Sequence, residues 1–293
     1  MFEVGGDAVV GDLHLPDGLG RFAAVVVAGP MTSVKEQVTG VYAAALSERG
    51  IAALAIDHRG YGESDGVPRQ YEHHGRKVED LRAALRFLAS RPEVAADRLG
   101  AAAVCLGSGY AAHAAAQEPL IRAAGFVAGY FRDPKAMRAA DPEGFDAKVA
   151  EGRAARHKYE ATGEVETVPA AALEGDAAMQ TADTVDYYTR RAAVPNYRNA
   201  FAVMSREFFV PFDVQAAAHG IEVPVLMIHS EKALNPTWAR QFFDALNAQK
   251  SMEWLLSSGQ TDFYDDPGLV NMSADRLAEH FRRNLAGSHV RPP

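Results

Sequence analysis

Short apolar runs alternate with helix-prone stretches along most of this 293-residue chain. Alternation of this kind is typical of parallel strands joined by crossover helices that cover both faces of a sheet. Runs such as Val-Val-Val at 25–27 and Val-Leu-Met-Ile at 225–228 contain no polar residues, as expected for strands buried on both faces. The pattern predicts an α/β fold with strands over 23–28, 51–56, 99–104, 123–128, 223–229 and 252–256 and helices over 35–49, 73–90, 108–117, 236–247 and 274–284.

Two segments depart from this rhythm. Residues 8–15 alternate apolar and polar side chains, which predicts an antiparallel strand at the sheet edge. Residues 131–220 are charged, helix-prone and rich in aromatic side chains, and an insertion after the carboxyl end of a strand can roof the crevice where ligands bind. We predict a core over 1–130 and 221–293 and a helical cap over 131–220. The aromatic candidates for substrate contact are Tyr130, Tyr187, Tyr188 and Phe209.

The single cysteine of the chain lies in the run Ala-Val-Cys-Leu-Gly-Ser-Gly at 103–109. A nucleophile on a sharp strand-to-helix turn needs small residues two positions before and after it, because the backbone there is pinched. Ala103 and Gly107 satisfy this requirement. The turn would present Cys105 at the amino end of a helix, whose dipole favours thiolate over thiol. The pattern therefore predicts a reactive nucleophile, and the alternative is a small buried apolar side chain.

Composition argues against several classes of protein. With 48% hydrophobic and 23% charged residues the chain can bury a full core, which argues against disorder. A net charge of −8 without a basic stripe argues against nucleic acid or an anionic membrane as a partner. One cysteine permits no internal disulfide, and the start of the sequence has no secretion-signal pattern. We expect a cytoplasmic protein that acts on a small-molecule substrate, and the sequence is compatible with a homodimer.

Two turns carry a family resemblance. Val-Cys-Leu-Gly at 104–107 resembles the elbow of the dienelactone-hydrolase-like branch of the α/β-hydrolase superfamily. Asp-His-Arg-Gly-Tyr-Gly-Glu-Ser-Asp-Gly at 57–66 resembles the turn that follows the fourth strand of that superfamily. The resemblance spans nearly the whole chain and implies the α/β-hydrolase fold, a mostly parallel central sheet covered by helices on both faces, with a helical cap after the sixth strand. It also implies an oxyanion hole built from the main-chain N–H groups of Leu106 and, approximately, Met31.

The catalytic triad of the superfamily is degenerate in this chain. The run Ser-Ser-Gly-Gln-Thr-Asp-Phe-Tyr-Asp at 257–265 matches the loop that carries the family's histidine, and Gln260 stands at the histidine position. The family's acid should follow the seventh strand, but the matching run at 230–233 is Ser-Glu-Lys-Ala, so Glu231 is the candidate substitute. Glutamine does not take up a proton near neutral pH, and an orienting acid has no purpose without an imidazole. The resemblance therefore implies a changed mechanism.

Other side chains could replace the missing base or acid. His229 and His58 lie at predicted strand ends, where ligands of such sheets bind, and Asp133 lies at an alternative acid position. No spacing of His, Cys and Asp is typical of a metal site and no glycine-rich loop is typical of a phosphate site, so we expect no cofactor. The candidate catalytic residues are Cys105, Gln260, Glu231 and His229.

These residues permit three functions. The thiol could attack an ester, lactone or thioester to give an acyl-enzyme, and slow release to water without histidine favours acyl transfer or cyclisation over the family's default hydrolysis. The site could instead polarise a carbonyl without a covalent step, with Gln260 and the oxyanion donors promoting cyclisation, dehydration or C–C cleavage. The chain could also be a ligand-binding protein on a retired scaffold. We rank an enzyme first, and by analogy with unusual members of this fold we expect a role in natural-product biosynthesis.

Overall fold

The structure is a computed structural model that describes residues 1–286 of the chain. Its strands are β1 (Phe2–Val4), β2 (Asp7–Val9), β3 (Gly11–His14), β4 (Phe22–Ala28), β5 (Ala52–Ile56), β6 (Val94–Val104), β7 (Ile121–Val127), β8 (Thr167–Val168), β9 (Phe201–Ala202), β10 (Val225–His229) and β11 (Lys250–Trp254). Its α-helices are α1 (Val38–Ser47), α2 (His74–Ala89), α3 (Gly107–Ala115), α4 (Pro134–Ala140), α5 (Pro142–Thr162), α6 (Ala182–Asp186), α7 (Arg206–Phe209), α8 (Pro236–Ala245), α9 (Asp262–Asp265) and α10 (Pro267–Asn284). A π-helix at Tyr187–Arg191 and 3-10 helices at Val203–Ser205 and Gln215–Gly220 complete the regular structure.

One sheet of seven strands, in the order β11-β10-β7-β6-β4-β5-β3, forms the centre of the molecule. Neighbouring strands are parallel except for β3, which pairs antiparallel with β5 at the edge. The predicted antiparallel edge strand is thus confirmed over residues 11–14, whereas residues 8 and 9 belong to β2, which pairs with β1 in a separate two-stranded sheet. Strands β5 and β10 are buried along their whole length, which explains their uninterrupted apolar sequences. The predicted α/β architecture with a mostly parallel sheet is correct.

Helices pack on this sheet in pairs. Helix α1 packs against α10, and α2 packs against α3 beside β6. Helix α10 begins at Pro267 rather than at the predicted residue 274, because Asp266 caps it through the Leu269 N–H at 2.9 Å and proline suits the first helical position. No helix in the described range 1–286 is long and apolar enough to cross a lipid bilayer.

The segment between β7 and β10 contains α4 to α7 and the short β8–β9 ladder. Helices α5 and α7 pack against each other, and side chains from this segment share a cavity with the carboxyl ends of the core strands. The segment therefore forms one wall of that cavity. The exact boundaries of the cap, at 131 and 220, remain a prediction.

Candidate active site

Cys105 occupies a strained turn between β6 and α3. Its backbone has φ of +56°, a left-handed conformation that costs a non-glycine residue about 1–2 kcal/mol. The Cys105 N–H donates to the Val127 carbonyl at 3.1 Å, and the Cys105 carbonyl accepts from the Tyr130 N–H at 2.9 Å. These two hydrogen bonds fix both peptide groups of the elbow against the end of β7.

The residues that flank the elbow are small for steric reasons. A Cβ atom added to Gly107 would lie 2.3 Å from the carbonyl oxygen of Ala28, a distance that no real Cβ contact adopts. Helix α3 therefore starts directly against the end of β4 only because position 107 is glycine. The sequence-based explanation of this glycine is confirmed.

The Cys105 side chain faces a cavity of about 410 Å³. Both the core and the segment above it contribute to the walls. The core residues in the lining are Met31, Cys105, Leu106, Tyr130, Leu234 and Tyr264. The residues from the segment between β7 and β10 include Arg132, Met137, Phe145, Met179, Phe201, Arg206, Phe209 and Val210. The lining is largely apolar and aromatic, as expected for a small-molecule site.

Met31 and Leu106, the predicted oxyanion-hole residues, both line this cavity. Among the described residues, neither of their main-chain N–H groups donates to a backbone carbonyl. The loop of Met31 is held by its neighbour Thr32, which has φ of +60° and donates its N–H to Glu72 Oε2 at 2.9 Å. Two amides that no backbone carbonyl occupies, one on a fixed loop and one at a helix start, are suited to stabilise a developing oxyanion.

Gln260 lies next to the thiol but acts as a clamp between main-chain segments. Its Nε2 donates to the Ala128 carbonyl at 2.8 Å and to the Tyr264 hydroxyl at 3.3 Å, and its Oε1 accepts from the Leu234 N–H at 2.9 Å. The side chain is buried, and these bonds anchor its amide group. Gln260 thus stands where it was predicted, and its hydrogen bonds hold the site together.

The expectation of a thiolate at Cys105 is wrong. Burial raises the pKa of the thiol to about 11, and hydrogen bonds from Tyr264, the Leu106 N–H and Gln260 only partly oppose this effect. A buried sulfur loses more hydration energy on ionisation than the start of the helix and these donors return. Cys105 is therefore protonated at neutral pH.

Tyr264 is a site residue that the sequence reasoning missed. It lines the cavity, and its hydroxyl lies beside the sulfur of Cys105 and accepts the hydrogen bond from Gln260. Burial raises its pKa well above 10, and the neighbouring Cys105 adds to this effect, so the phenol remains a neutral donor. The signal was available, because Tyr264 lies in the run 257–265 that already matched the family's histidine loop.

Two predicted catalytic residues are contradicted by the structure. Glu231 is exposed and pairs with Arg240 on the surface, because the turn after β10 directs it outward. His229 is fully buried, with Nδ1 at 3.0 Å from the Ser230 carbonyl and Nε2 at 3.2 Å from the Gly129 carbonyl. Its burial lowers its pKa, and it does not contribute to the cavity lining. Neither residue is placed to act as a base or an acid in the cavity.

The other acid and base candidates also have structural partners. His58 Nδ1 lies 3.1 Å from the buried carboxylate of Asp80. Asp133 caps α4 by accepting from the N–H groups of Lys135 and Ala136, both at 3.0 Å. The described residues contain no group of three or more His, Cys, Asp or Glu side chains that could hold a metal ion.

The predicted substrate-contact residues divide into two pairs. Tyr130 and Phe209 line the cavity. Tyr187 and Tyr188 do not line it, since they are buried behind its wall and support other residues. Tyr187 packs edge-on against Tyr264 with ring centroids 5.0 Å apart, and the Tyr188 hydroxyl donates to the Met31 carbonyl at 3.4 Å. The last two are therefore positioning residues for the lining.

The chain is similar to known proteins over most of its length. Residues 23–256 match the family model described as Serine aminopeptidase, S33. The uncharacterized protein PA2218 of Pseudomonas aeruginosa is 29% identical over 96% of this chain and 78% of its own length. The solved structure of DcsB in complex with its substrate analogue has a TM-score of 0.83 at 21% identity and covers 97% of both chains.

Two fungal proteins are similar over shorter stretches. The polyketide transferase claH of Penicillium crustosum is 39% identical over 31% of this chain and 30% of its own. The thiohydrolase aneE of Aspergillus aculeatus is 34% identical over 34% of this chain and 31% of its own.

Proposed function

Because the chain belongs to the serine aminopeptidase S33 family of the α/β-hydrolase superfamily, we propose that it transfers an acyl group from a thioester or another activated ester through Cys105. The observation that carries the proposal is the Cys105 thiol on its strained elbow, in one cavity with Met31, Leu106 and Tyr264. Similarity to proteins named polyketide transferase and thiohydrolase supports acyl chemistry.

The first step forms a bond between the Cys105 sulfur and the acyl carbon. The carbonyl oxygen becomes an oxyanion that the N–H groups of Met31 and Leu106 stabilise, each donor contributing about 3 kcal/mol. The thiol proton passes to the Tyr264 hydroxyl, which gives its own proton to the leaving sulfur or oxygen of the donor. The bond to that leaving group breaks, and the products are acyl-Cys105 and the free thiol or alcohol of the donor.

The second step favours a bound acceptor over water. Within residues 1–286 no histidine lines the cavity, so no imidazole activates water there. An alcohol or amine held in the cavity, including one on the acyl chain itself, gains a high effective concentration. Its attack on acyl-Cys105 returns a proton to the sulfur and yields a transferred or cyclised product.

Intact-protein mass spectrometry tests the covalent step. The protein is incubated with N-acetylcysteamine thioesters, p-nitrophenyl esters and lactones, beside Cys105→Ala and Cys105→Ser. We expect one acyl group on the wild type, none on Cys105→Ala, and faster loss of the adduct when amines or alcohols are added. The proposal is rejected if no adduct forms while iodoacetamide still alkylates Cys105.

The raised pKa of Cys105 favours a second function, cyclisation, dehydration or C–C cleavage without a covalent intermediate. Here the neutral thiol and the Tyr264 hydroxyl would donate hydrogen bonds to a polarised carbonyl. Turnover that persists at a reduced rate in Cys105→Ala, with no adduct on the wild type, would establish this function. Ligand binding by the wild type with no turnover of any substrate would instead point to a retired scaffold.

A further inference from the structure

We infer that Arg132 binds a carboxylate on the substrate, so that the cavity takes acyl donors with a negative charge distant from the reacting carbonyl. This inference rests on the proposed function and specifies its substrate class. It concerns a residue that the sequence analysis did not single out.

Arg132 is a buried cation without an acidic partner. The residue is 2% exposed and lines the cavity. Its Nη2 donates to the Val210 carbonyl at 3.1 Å and lies 3.5 Å from the Met137 sulfur, while Nε is buried with no partner in the described part of the chain. No carboxylate within residues 1–286 forms a salt bridge with it, so the guanidinium keeps free donors.

The other buried arginines show what Arg132 lacks. Arg59 pairs with the buried carboxylate of Asp80, and Arg206 pairs with Glu151 and Asp176. This fold therefore supplies carboxylates to buried guanidinium groups elsewhere. Arg132 lines the cavity and has no such carboxylate among the described residues.

Aromatic rings compensate only part of the cost of burying this charge. The guanidinium carbon lies 4.2 Å from the centroid of the Phe209 ring and 5.6 Å from that of the Tyr130 ring. Such rings attract a cation, but they accept no N–H hydrogen bond in the plane of the guanidinium, and Nε is left without an acceptor among the described residues. A carboxylate would accept two parallel hydrogen bonds from that edge and neutralise the charge.

Arg132 is held on the same wall as the nucleophile. Tyr130, two positions before it, donates its N–H to the Cys105 carbonyl at 2.9 Å, and the Arg132 N–H donates to the Tyr130 carbonyl at 3.0 Å. A substrate that reaches from the sulfur to the guanidinium would cross the face lined by Tyr130. An ω-carboxyacyl chain has this form, with an activated carbonyl at one end and a carboxylate at the other.

Matched substrates test the inference. A series of ω-carboxyacyl N-acetylcysteamine thioesters of increasing chain length is compared with the methyl esters of the same compounds, and Cys105 acylation is followed by mass. For the best chain length we expect wild type to react at least about tenfold faster with the free carboxylate. The ratio of the acylation rate with the free carboxylate to the rate with the methyl ester should fall toward one in Arg132→Met and be intermediate in Arg132→Lys. A ratio near one in wild type, or a ratio unchanged in Arg132→Met, overturns the inference.

A binding measurement separates this inference from the proposed function. Calorimetric titration of Cys105→Ala with free dicarboxylates of the same lengths should show binding that Cys105→Ala/Arg132→Met loses. The double variant Cys105→Ala/Arg240→Met, changed at a surface arginine, is the control and should still bind. Binding without acylation of wild type by any thioester would reject the acyl-transfer proposal and leave the carboxylate site standing. Arg132→Lys, which keeps the charge, provides the comparison if Arg132→Met does not fold, and undiminished binding in Cys105→Ala/Arg132→Lys would then count against the inference.

Discussion

The Oε1 atom of Gln260 accepts the N–H of Leu234 at 2.9 Å, and this bond links the two places where the sequence predicts the base and the acid of a complete triad. Gln260 lies at the position predicted for the histidine, and Leu234 directly follows Ala233, at the position predicted for the acid. The Nε2 of the same amide donates to the Ala128 carbonyl at the end of β7. One glutamine thus ties together its own loop, the loop of Leu234 and the end of β7.

Replacing Gln260 by histidine should therefore destabilise the protein. A rigid imidazole cannot reproduce the bonds to Ala128, Tyr264 and Leu234, and a buried group left without a partner costs about 1–3 kcal/mol. Urea unfolding measures this loss, with the exposed Gln241→His as the control. Equal stability of the two variants would contradict the clamp role. A gain of p-nitrophenyl acetate turnover in Gln260→His would indicate a latent covalent route, whereas loss of native activity with no such gain would give the glutamine a role of its own.

The alkylation rate of Cys105 should rise about tenfold per pH unit between pH 7 and pH 10. Only the thiolate reacts, and its fraction grows in this way below a pKa of about 11. Iodoacetamide labelling followed by mass measures the rate. In urea the alkylation rate of the unfolded chain should level off above pH 9, because the ordinary pKa of a cysteine thiol is about 9. A plateau below pH 9 in the folded protein would show that the thiol ionises readily after all.

Tyr264→Phe should slow acylation of Cys105 by about 100-fold, because the phenol relays the proton to the leaving group. The variant should also alkylate more slowly at pH 8, since the hydrogen bond from Tyr264 lowers the pKa of the thiol and its loss raises that pKa further. Rates of acylation and alkylation are measured on the same samples, with Tyr159→Phe outside the cavity as the control. Unchanged acylation in Tyr264→Phe would remove the tyrosine from the mechanism.

Gly107→Ala should prevent folding or destabilise the protein by more than about 4 kcal/mol. The added methyl group would lie 2.3 Å from the Ala28 carbonyl oxygen, and both backbones are fixed by the sheet. Gly163→Ala is a suitable control, because its φ of +74° is equally unfavourable to alanine but no atom lies within 4 Å of the added Cβ. Gly163→Ala should lower the free energy of unfolding by only about 1 kcal/mol. Soluble yield and urea unfolding compare the two, and similar results would contradict the steric explanation.

Glu72→Gln should destabilise the protein at pH 7 by about 3–5 kcal/mol, since it leaves a buried ammonium group unpaired. The carboxylate of Glu72 and the Nζ of Lys77 lie 2.6 Å apart, and neither side chain is exposed beyond 2%. The exposed pair of Glu231 and Arg240 is the control, and Glu231→Gln should cost less than about 1 kcal/mol. Thermal unfolding measures both, and Glu72→Gln/Lys77→Met should recover part of the loss.

The effect of Glu72→Gln should also shrink in acid. Burial alone would raise the pKa of Glu72, but Lys77, Tyr110 and the Thr32 N–H hold that pKa below 4.5. A carboxylate with a lowered pKa contributes stability above its unfolded value and loses that contribution as the pH falls. The free energies of unfolding of wild type and Glu72→Gln should therefore converge below pH 4.5. A constant difference from pH 7 into the acid range would show that Glu72 contributes no charge.

The strands could be located from the sequence because a strand buried on both faces has an uninterrupted run of apolar residues. The turn at Cys105 was predictable for a similar reason, since a pinched backbone demands small residues at fixed offsets. Glu231 and His229 were wrongly predicted to be catalytic. Both lie at the end of a strand that leads to the site, but this position does not define the direction in which a side chain points. The turn after β10 sends Glu231 to the surface and leaves His229 between two main-chain carbonyls.

The sequence by itself determined the α/β architecture and the elbow with its single cysteine, because both depend on residue types at short, fixed spacings. Only the tertiary structure decided that Cys105 is protonated, that Gln260 is a clamp and that Arg132 lies in the cavity without an acid. These properties depend on what covers each group and on which distant segments meet it, since desolvation and pairing are set by neighbours far apart in the chain.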